Sequence, residues 1–578
     1  MKLIIKQYIA SLKERGELDE LLPDLLSQMG LNVFSRPGRG TRQYGVDIGA
    51  VGSIEKEPET VYLLSVKPGD LTRKDWNSGS PQDLQPSLDE ILTVYIHSHL
   101  PPEHKGKPIS ICICIGGDIK EEVRLNVTQY EETKKTDTIN IVEWDGDRLA
   151  SMIESYLLRE DLLPNSIRPL LRKSLALLDE PEASFRHFSK LIKSFSGVGS
   201  KSDAQLITSI RQLNICLWIL FAWARDTGNL EAAYLSGEST LLHAWELTKG
   251  HSAKRNKAAE SIQSSFFSIL NVYQLICRHY LAKKIIPHAG KLHGLSSAVR
   301  SSNKIDVNLK LFDVLGRLAT SGIWSYWNAS IGDKEYEERK QVYDREMDII
   351  SQAIKILIHN NPILLLPFKD DHAIDISLTL LFLSLKDSNE GYMNNWLKEM
   401  MERAIFAYKC HGPYPCILDS YRDLLEHPKR GDDEYRKEVT AGSILYPTIA
   451  LWAALLKEND LYEKVKAAKD NHFRHCNFQF WYPDETSEDC LYINSDLHGA
   501  VLSDVRVDLS PKEFLEAVWT ECDHTNHFDK LSAREHGFWP LILVACRHYR
   551  IPVPLHFTLS YREALHNKES QMGEVKNV

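Results

Sequence analysis

The period of the apolar positions changes partway along this chain. Up to about residue 155 two periods are interleaved. LDELLPDLLSQMG (18–30) spaces its leucines at helical intervals and stops at Gly30. LNVFS and YGVDIGAVG are short strand patterns, the latter apolar at alternate positions, and TVYLLSV (60–66) is a fuller, more buried strand pattern. SLDEILTVYIHSHL (87–100) predicts a helix, and ISICICIGG (109–117) a buried strand closed by two glycines. INIVEWDGDRLASMIESYLL adds a strand, an Asp-Gly turn and a helix. This alternation predicts an α/β domain over 1–158, with a central mixed sheet flanked by helices.

Beyond about residue 160 the strand signals mostly vanish. Amphipathic segments at 204–226, 229–248, 256–283, 306–327, 335–358, 373–386, 391–409, 440–456 and 512–521 follow one another, separated by Gly, Pro, Asn and Asp. They predict a large all-α domain over 159–578, with a subdomain break near 360–370 or 430. Within it LWILFAWARDTGNLEAAYLSGESTLLHAW (217–245) resembles one tetratricopeptide unit through its TGNLEAA turn. No 34-residue period is sustained, so the region is helical-repeat-like. The stretch 476–510 is aromatic and turn-rich and reads as a small insertion.

Composition narrows the class. Hydrophobic residues make up 43% and charged residues 26% of 578, with a net charge of −10, so nucleic acid would have to be met by a local basic patch. No run reaches about 18 uninterrupted apolar residues, and the N-terminus lacks the apolar core of a signal peptide. The ten cysteines follow no framework spacing and include no CxxC. They predict reduced, mostly buried thiols and a cytoplasmic setting without a membrane.

Candidate chemistry sits at two strand ends. GTRQYGVDIGAVG carries Asp47 after Gly45, and VYLLSVKPGD ends its apolar run on Lys67 before turning through Pro68-Gly69. An acid on one strand and a lysine ending the next resembles the PD-(D/E)xK nuclease superfamily. LDELLPDLLSQMG is similar to the first helix of Mrr-type restriction endonucleases at Leu18, Asp19, Leu25, Leu26 and Gly30. ISICICIGGDIKEEV and INIVEWDGDRLASMI resemble that family's later strands, so the resemblance spans about residues 15–155 in order.

The resemblance implies a restriction-endonuclease-like fold and metal-dependent hydrolysis of DNA phosphodiesters with Mg²⁺ or Mn²⁺. Asp47 and Asp19, with Glu20 as the rival of Asp19, are implied metal ligands, joined by the Ser65 hydroxyl or the Val66 carbonyl. Lys67 is the implied catalytic lysine. The sequence departs from the family at Ser65, where Glu or Gln is usual two residues before the lysine. Arg36, Arg39 and Arg42 lie in a glycine-rich loop with Gly38 and Gly40, and Arg73 and Lys74 follow the Lys67 turn. These five cations are the expected DNA-backbone contacts. A separate ATPase or sensor subunit, or a second copy of the chain, is the expected partner of the helical domain. By fold analogy the role is antiviral defence. The alternatives are a degenerate, non-catalytic assembly factor and a nuclease acting on RNA.

Two other signals carry less. SFSGVGSKSD (194–203) lacks the Gly-Lys pair of a phosphate loop. His472, His475, Cys476, Cys522, His524 and His527 match no common zinc spacing.

Overall fold

The computed structural model describes residues 2–12, 14, 18–36, 43–54, 58–157, 168–195, 202–299, 301, 303–331, 337–429, 432–494, 498–503 and 505–562. The chain forms two compact units, 1–236 and 237–578.

The first unit holds five strands: β1 (Asn32–Ser35), β2 (Ile48–Gly52), β3 (Thr60–Lys67), β4 (Ile109–Ile115) and β5 (Ile139–Trp144). They lie in that order in one sheet. The β1–β2 and β2–β3 pairs are antiparallel, whereas the β3–β4 and β4–β5 pairs are parallel. The predicted mixed sheet is therefore present. β4 has a paired strand on each side and is buried at every position, which explains its unbroken apolar sequence.

Helices enclose the sheet: α1 (Lys2–Ser11), α2 (Asp19–Gln28), α3 (Arg73–Trp76), α4 (Leu84–Glu90), α5 (Glu121–Lys134) and α6 (Gly146–Met152). α4 continues into wider π-helical turns over Ile91–His99. Leu84, Leu88 and Ile91 from this helix, with Val123 and Val127 from α5, pack on Val61, Leu63, Ile111 and Ile113 of the sheet. All are fully buried, and each such side chain contributes roughly 1.5–3 kcal/mol. α1 packs against α6.

The same unit continues through α7 (Arg168–Ala176), α8 (Pro181–Phe195) and α9 (Asp203–Thr227). α9 packs on α1, and Arg211 on it donates to the Gln28 side chain at 3.0 Å. By length and composition α9 is apolar enough to cross a membrane, but 76% of its apolar window is buried inside the fold, as a core helix requires. α9 is capped by Gly228, with φ of +77°, within the TGNLEAA turn.

The second unit is mostly helical. The helix Lys304–Ser330 packs against both Glu337–Asn360 and Ala373–Leu383. The aromatic stretch near 476–510 contributes β7 (Asn477–Tyr482) and β8 (Ala500–Ser503), which join β6 (Gly442–Ser443) in a three-stranded sheet. Every cysteine is a free thiol, and all are buried except Cys490, which is half-buried, and the exposed Cys410.

Candidate functional site

The sheet topology brings Asp47 and Lys67 together. β2 runs antiparallel to β3, so the start of β2 and the end of β3 lie at one sheet edge. One step beyond the Ile48–Leu64 pair, Asp47 stands opposite Ser65, and its N–H donates to the Leu64 carbonyl at 2.9 Å. Gly45 makes the approach possible. It has φ of +80°, and a Cβ there would sit 2.0 Å from the Ser87 carbonyl oxygen. Asp47 Oδ2 accepts from the Val66 N–H at 2.7 Å. The period of two puts Ser65 and Lys67 on the same side of β3. Ser65 is 2% exposed.

Lys67 is not a free strand end in water. Its Nζ donates to the Gln82 carbonyl at 2.9 Å and lies 3.9 Å from a carboxylate oxygen of Glu14. Burial pushes the Asp47 carboxyl up to about 6; the Val66 N–H opposes the shift, Glu14 adds to it, Lys67 opposes it and Asp19 adds to it. Asp47, Lys67, Asp19 and Glu14 thus form one electrostatic group at the carboxyl end of β3. Open α/β sheets bind ligands at this end of their parallel strands.

Asp19 and Glu20 occupy the first turn of α2, where the helix dipole favours acids. Asp19 is half-buried and bears on Asp47; Glu20 is exposed and is not among the charges that act most strongly on it. Val66 is buried, and its N–H is committed to Asp47. Arg36 is exposed just past β1, at the same edge; burial raises the carboxyl of half-buried Asp24, against which Arg211 and then Arg36 act. Arg73 and Lys74 are exposed on α3. Arg39 and Arg42, with Gly38 and Gly40, lie outside the described residues.

Three contributors were not foreseen: Glu14, the Gln82 carbonyl and Asp83. LKERGELDE gave no sign that Glu14 is anything but a surface charge. Asp83 precedes the apolar run of α4, a start-of-helix signal. Its carboxylate instead turns back and accepts from the N–H groups of Ser78 at 2.5 Å and Ser80 at 3.0 Å, and from the Ser78 hydroxyl at 3.0 Å.

Next to this group the strand ends carry charges that neutralise one another. Lys6 lies 2.9 Å from Asp118 and 2.5 Å from Asp147, and Lys120 lies 2.6 Å from Asp70. In the second unit Cys476 and Cys522 are buried thiols, each pushed up to about 12 by burial, and His475 Nε2 is 2.8 Å from the Thr440 hydroxyl. Among the described residues, no group of three or more His, Cys, Asp or Glu is gathered for a metal ion.

The donors around Asp47 are hard carboxylate oxygens, the type that Mg²⁺ and Mn²⁺ prefer. Asp47 and Asp19 are carboxylates of that chemistry, but among the described residues they are not gathered into a set of three or more ligands. No family model, curated protein or solved structure matches the chain.

Proposed function

We propose that the first unit is a metal-dependent phosphodiester hydrolase of the PD-(D/E)xK type, acting on DNA. One observation carries this reading. A partly buried acid at the start of β2 lies within the electrostatic influence of a lysine ending β3 and of two further carboxylates, at the edge where the parallel strands end. Burial is the main reason that Asp47 is raised, and Glu14 and Asp19 add to it; a divalent cation would relieve that repulsion.

A bound Mg²⁺ or Mn²⁺ supplies Lewis acidity at the phosphate and a more acidic water. Asp47 and Asp19 would hold it, while Glu20, the Ser65 hydroxyl and the Val66 carbonyl are the weaker candidates. Lys67 presents its ammonium to the attacking water or to charge developing on the phosphate. Water adds to phosphorus, a phosphorus–oxygen ester bond breaks, and the leaving oxygen takes up a proton. Arg36, Arg73 and Lys74 are exposed near the same edge and suit the nucleic-acid backbone. By analogy, such an activity fits an effector of defence against foreign DNA, with the helical unit engaging a sensor, an ATPase or another copy.

The test is incubation with plasmid DNA, linear DNA and RNA in Mg²⁺, Mn²⁺ or EDTA, beside Asp47→Ala and Lys67→Ala. Metal-dependent cutting that falls by about 100-fold or more in both variants is expected. Cutting that survives Asp47→Ala rejects the site. A second reading, a non-catalytic assembly factor, is favoured by the buried Ser65 where an acid would bind metal. Its signature is an inactive wild type whose melting temperature Mn²⁺ leaves unmoved.

A further inference from the structure

We infer that Asp83 and Glu14 are positioning residues for Lys67, Asp83 acting through the Gln82 carbonyl and Glu14 by direct ion pairing. The inference rests on the hydrolase reading for its purpose, but not for its geometry.

The turn 78–83 contains Ser78, Gly79, Ser80 and Pro81 and has little apolar surface to hold it. What holds it is Asp83, which is 8% exposed and accepts from two backbone N–H groups and one hydroxyl of the turn. A carboxylate with such donors forms strong, charge-assisted bonds. The next residue back, Gln82, then directs its carbonyl at the Lys67 ammonium at 2.9 Å. Glu14 approaches the same nitrogen at 3.9 Å. The lysine side chain is only 19% exposed. A four-carbon stem would otherwise sample many rotamers, so the anchors hold its charge at the end of β3 beside Asp47. An ammonium has three N–H groups, and the Gln82 carbonyl takes one. Holding a reacting group in place is a recognised source of rate, and small misplacements are costly.

The experiment compares wild type with Asp83→Ala, Asp83→Asn and Glu14→Gln in the full chain. Lysines are acylated briefly, and the labelling of Lys67 relative to exposed Lys74 is read by peptide mass spectrometry. Cleavage is resolved into kcat and KM. In Asp83→Ala and Glu14→Gln, Lys67 labelling should rise several-fold relative to Lys74. In the same variants kcat should fall roughly ten- to hundredfold with KM little changed. Asp83→Asn keeps one carbonyl acceptor and should recover part of both effects. It also serves if Asp83→Ala does not fold. Unchanged labelling in folded Asp83 and Glu14 variants overturns the inference even if the wild type cuts. Raised labelling with unchanged kcat overturns the positioning role. A wild type that cuts nothing, with labelling raised in both variants, sinks the hydrolase reading and leaves the anchor standing.

Discussion

Asp47 shows what one residue's environment does to stability. Its folded-state value of about 6 lies above its ordinary 3.8, so the fold favours the neutral acid. In the metal-free protein, the contribution of Asp47 to stability is greatest below about pH 4 and declines as pH rises toward 6, because the unfolded chain loses this proton first. Asp47→Asn keeps an acceptor for the Val66 N–H and removes the ionisation. It should melt above wild type at pH 7, by an amount worth roughly 1–3 kcal/mol, with the gap closing by pH 4. Calorimetry without metal at both pH values checks this, and an equal gap at both refutes the account. Asp47 and Lys67 were legible because each sits where an apolar pattern meets a turn. Glu14 was not, since sequence carries no trace of which distant acid comes to lie beside a strand end. Asp83 was legible as an acid before a helix, but its partners lie in the preceding turn.

Helices in the second unit show how close approach competes with propensity. The predicted segment 306–327 is the core of the observed helix Lys304–Ser330, whereas 373–386 overruns the observed Ala373–Leu383 by three residues. Glycine is a poor helix former, yet Gly316 and Gly322 lie inside the first of these. A Cβ on Gly316 would meet Asp375 Oδ1 at 2.1 Å, and one on Gly322 the Phe382 ring at 2.3 Å. Alanine would gain about 1 kcal/mol in propensity but lose about 1–3 kcal/mol to overpacking. Gly316→Ala and Gly322→Ala should therefore unfold at lower denaturant; a higher midpoint in either would show that the helices can separate freely. The segment 440–456 was read as helix from its apolar content, but the helix starts at Leu445. Gly442–Ser443 pair with β7, and buried Asp370 binds the Ser443 hydroxyl at 2.5 Å and the Ile444 N–H at 2.7 Å. A contact between residues more than seventy positions apart leaves no local pattern to read.

At the scale of the molecule, the second unit is tied together by charges distant in sequence. Glu238 is fully buried, and Arg547 donates to it through Nε at 3.1 Å and through Nη2, while His548 Nδ1 lies 3.2 Å away. Burial alone would raise Glu238, but Arg547 and His548 outweigh it and hold the carboxyl at about 2, below its ordinary 4.5. Its contribution is present above pH 4.5 and is lost as pH falls toward 2. Glu238→Gln leaves the buried guanidinium with Asp313, 2.8 Å from its Nη1, as the remaining anion, and should destabilise this unit by about 1–3 kcal/mol at neutral pH. It should also flatten the acid transition between pH 4.5 and 2; denaturant titrations at several pH values test both, and an unchanged acid limb refutes the assignment. The pairing also constrains synthesis. Arg547 follows Glu238 by 309 residues, so on the ribosome this acid waits without that counter-ion until all of them have been added. The first unit can fold while the rest is still being made, whereas the second closes only after the helix Pro540–Tyr549, which carries Arg547, has emerged.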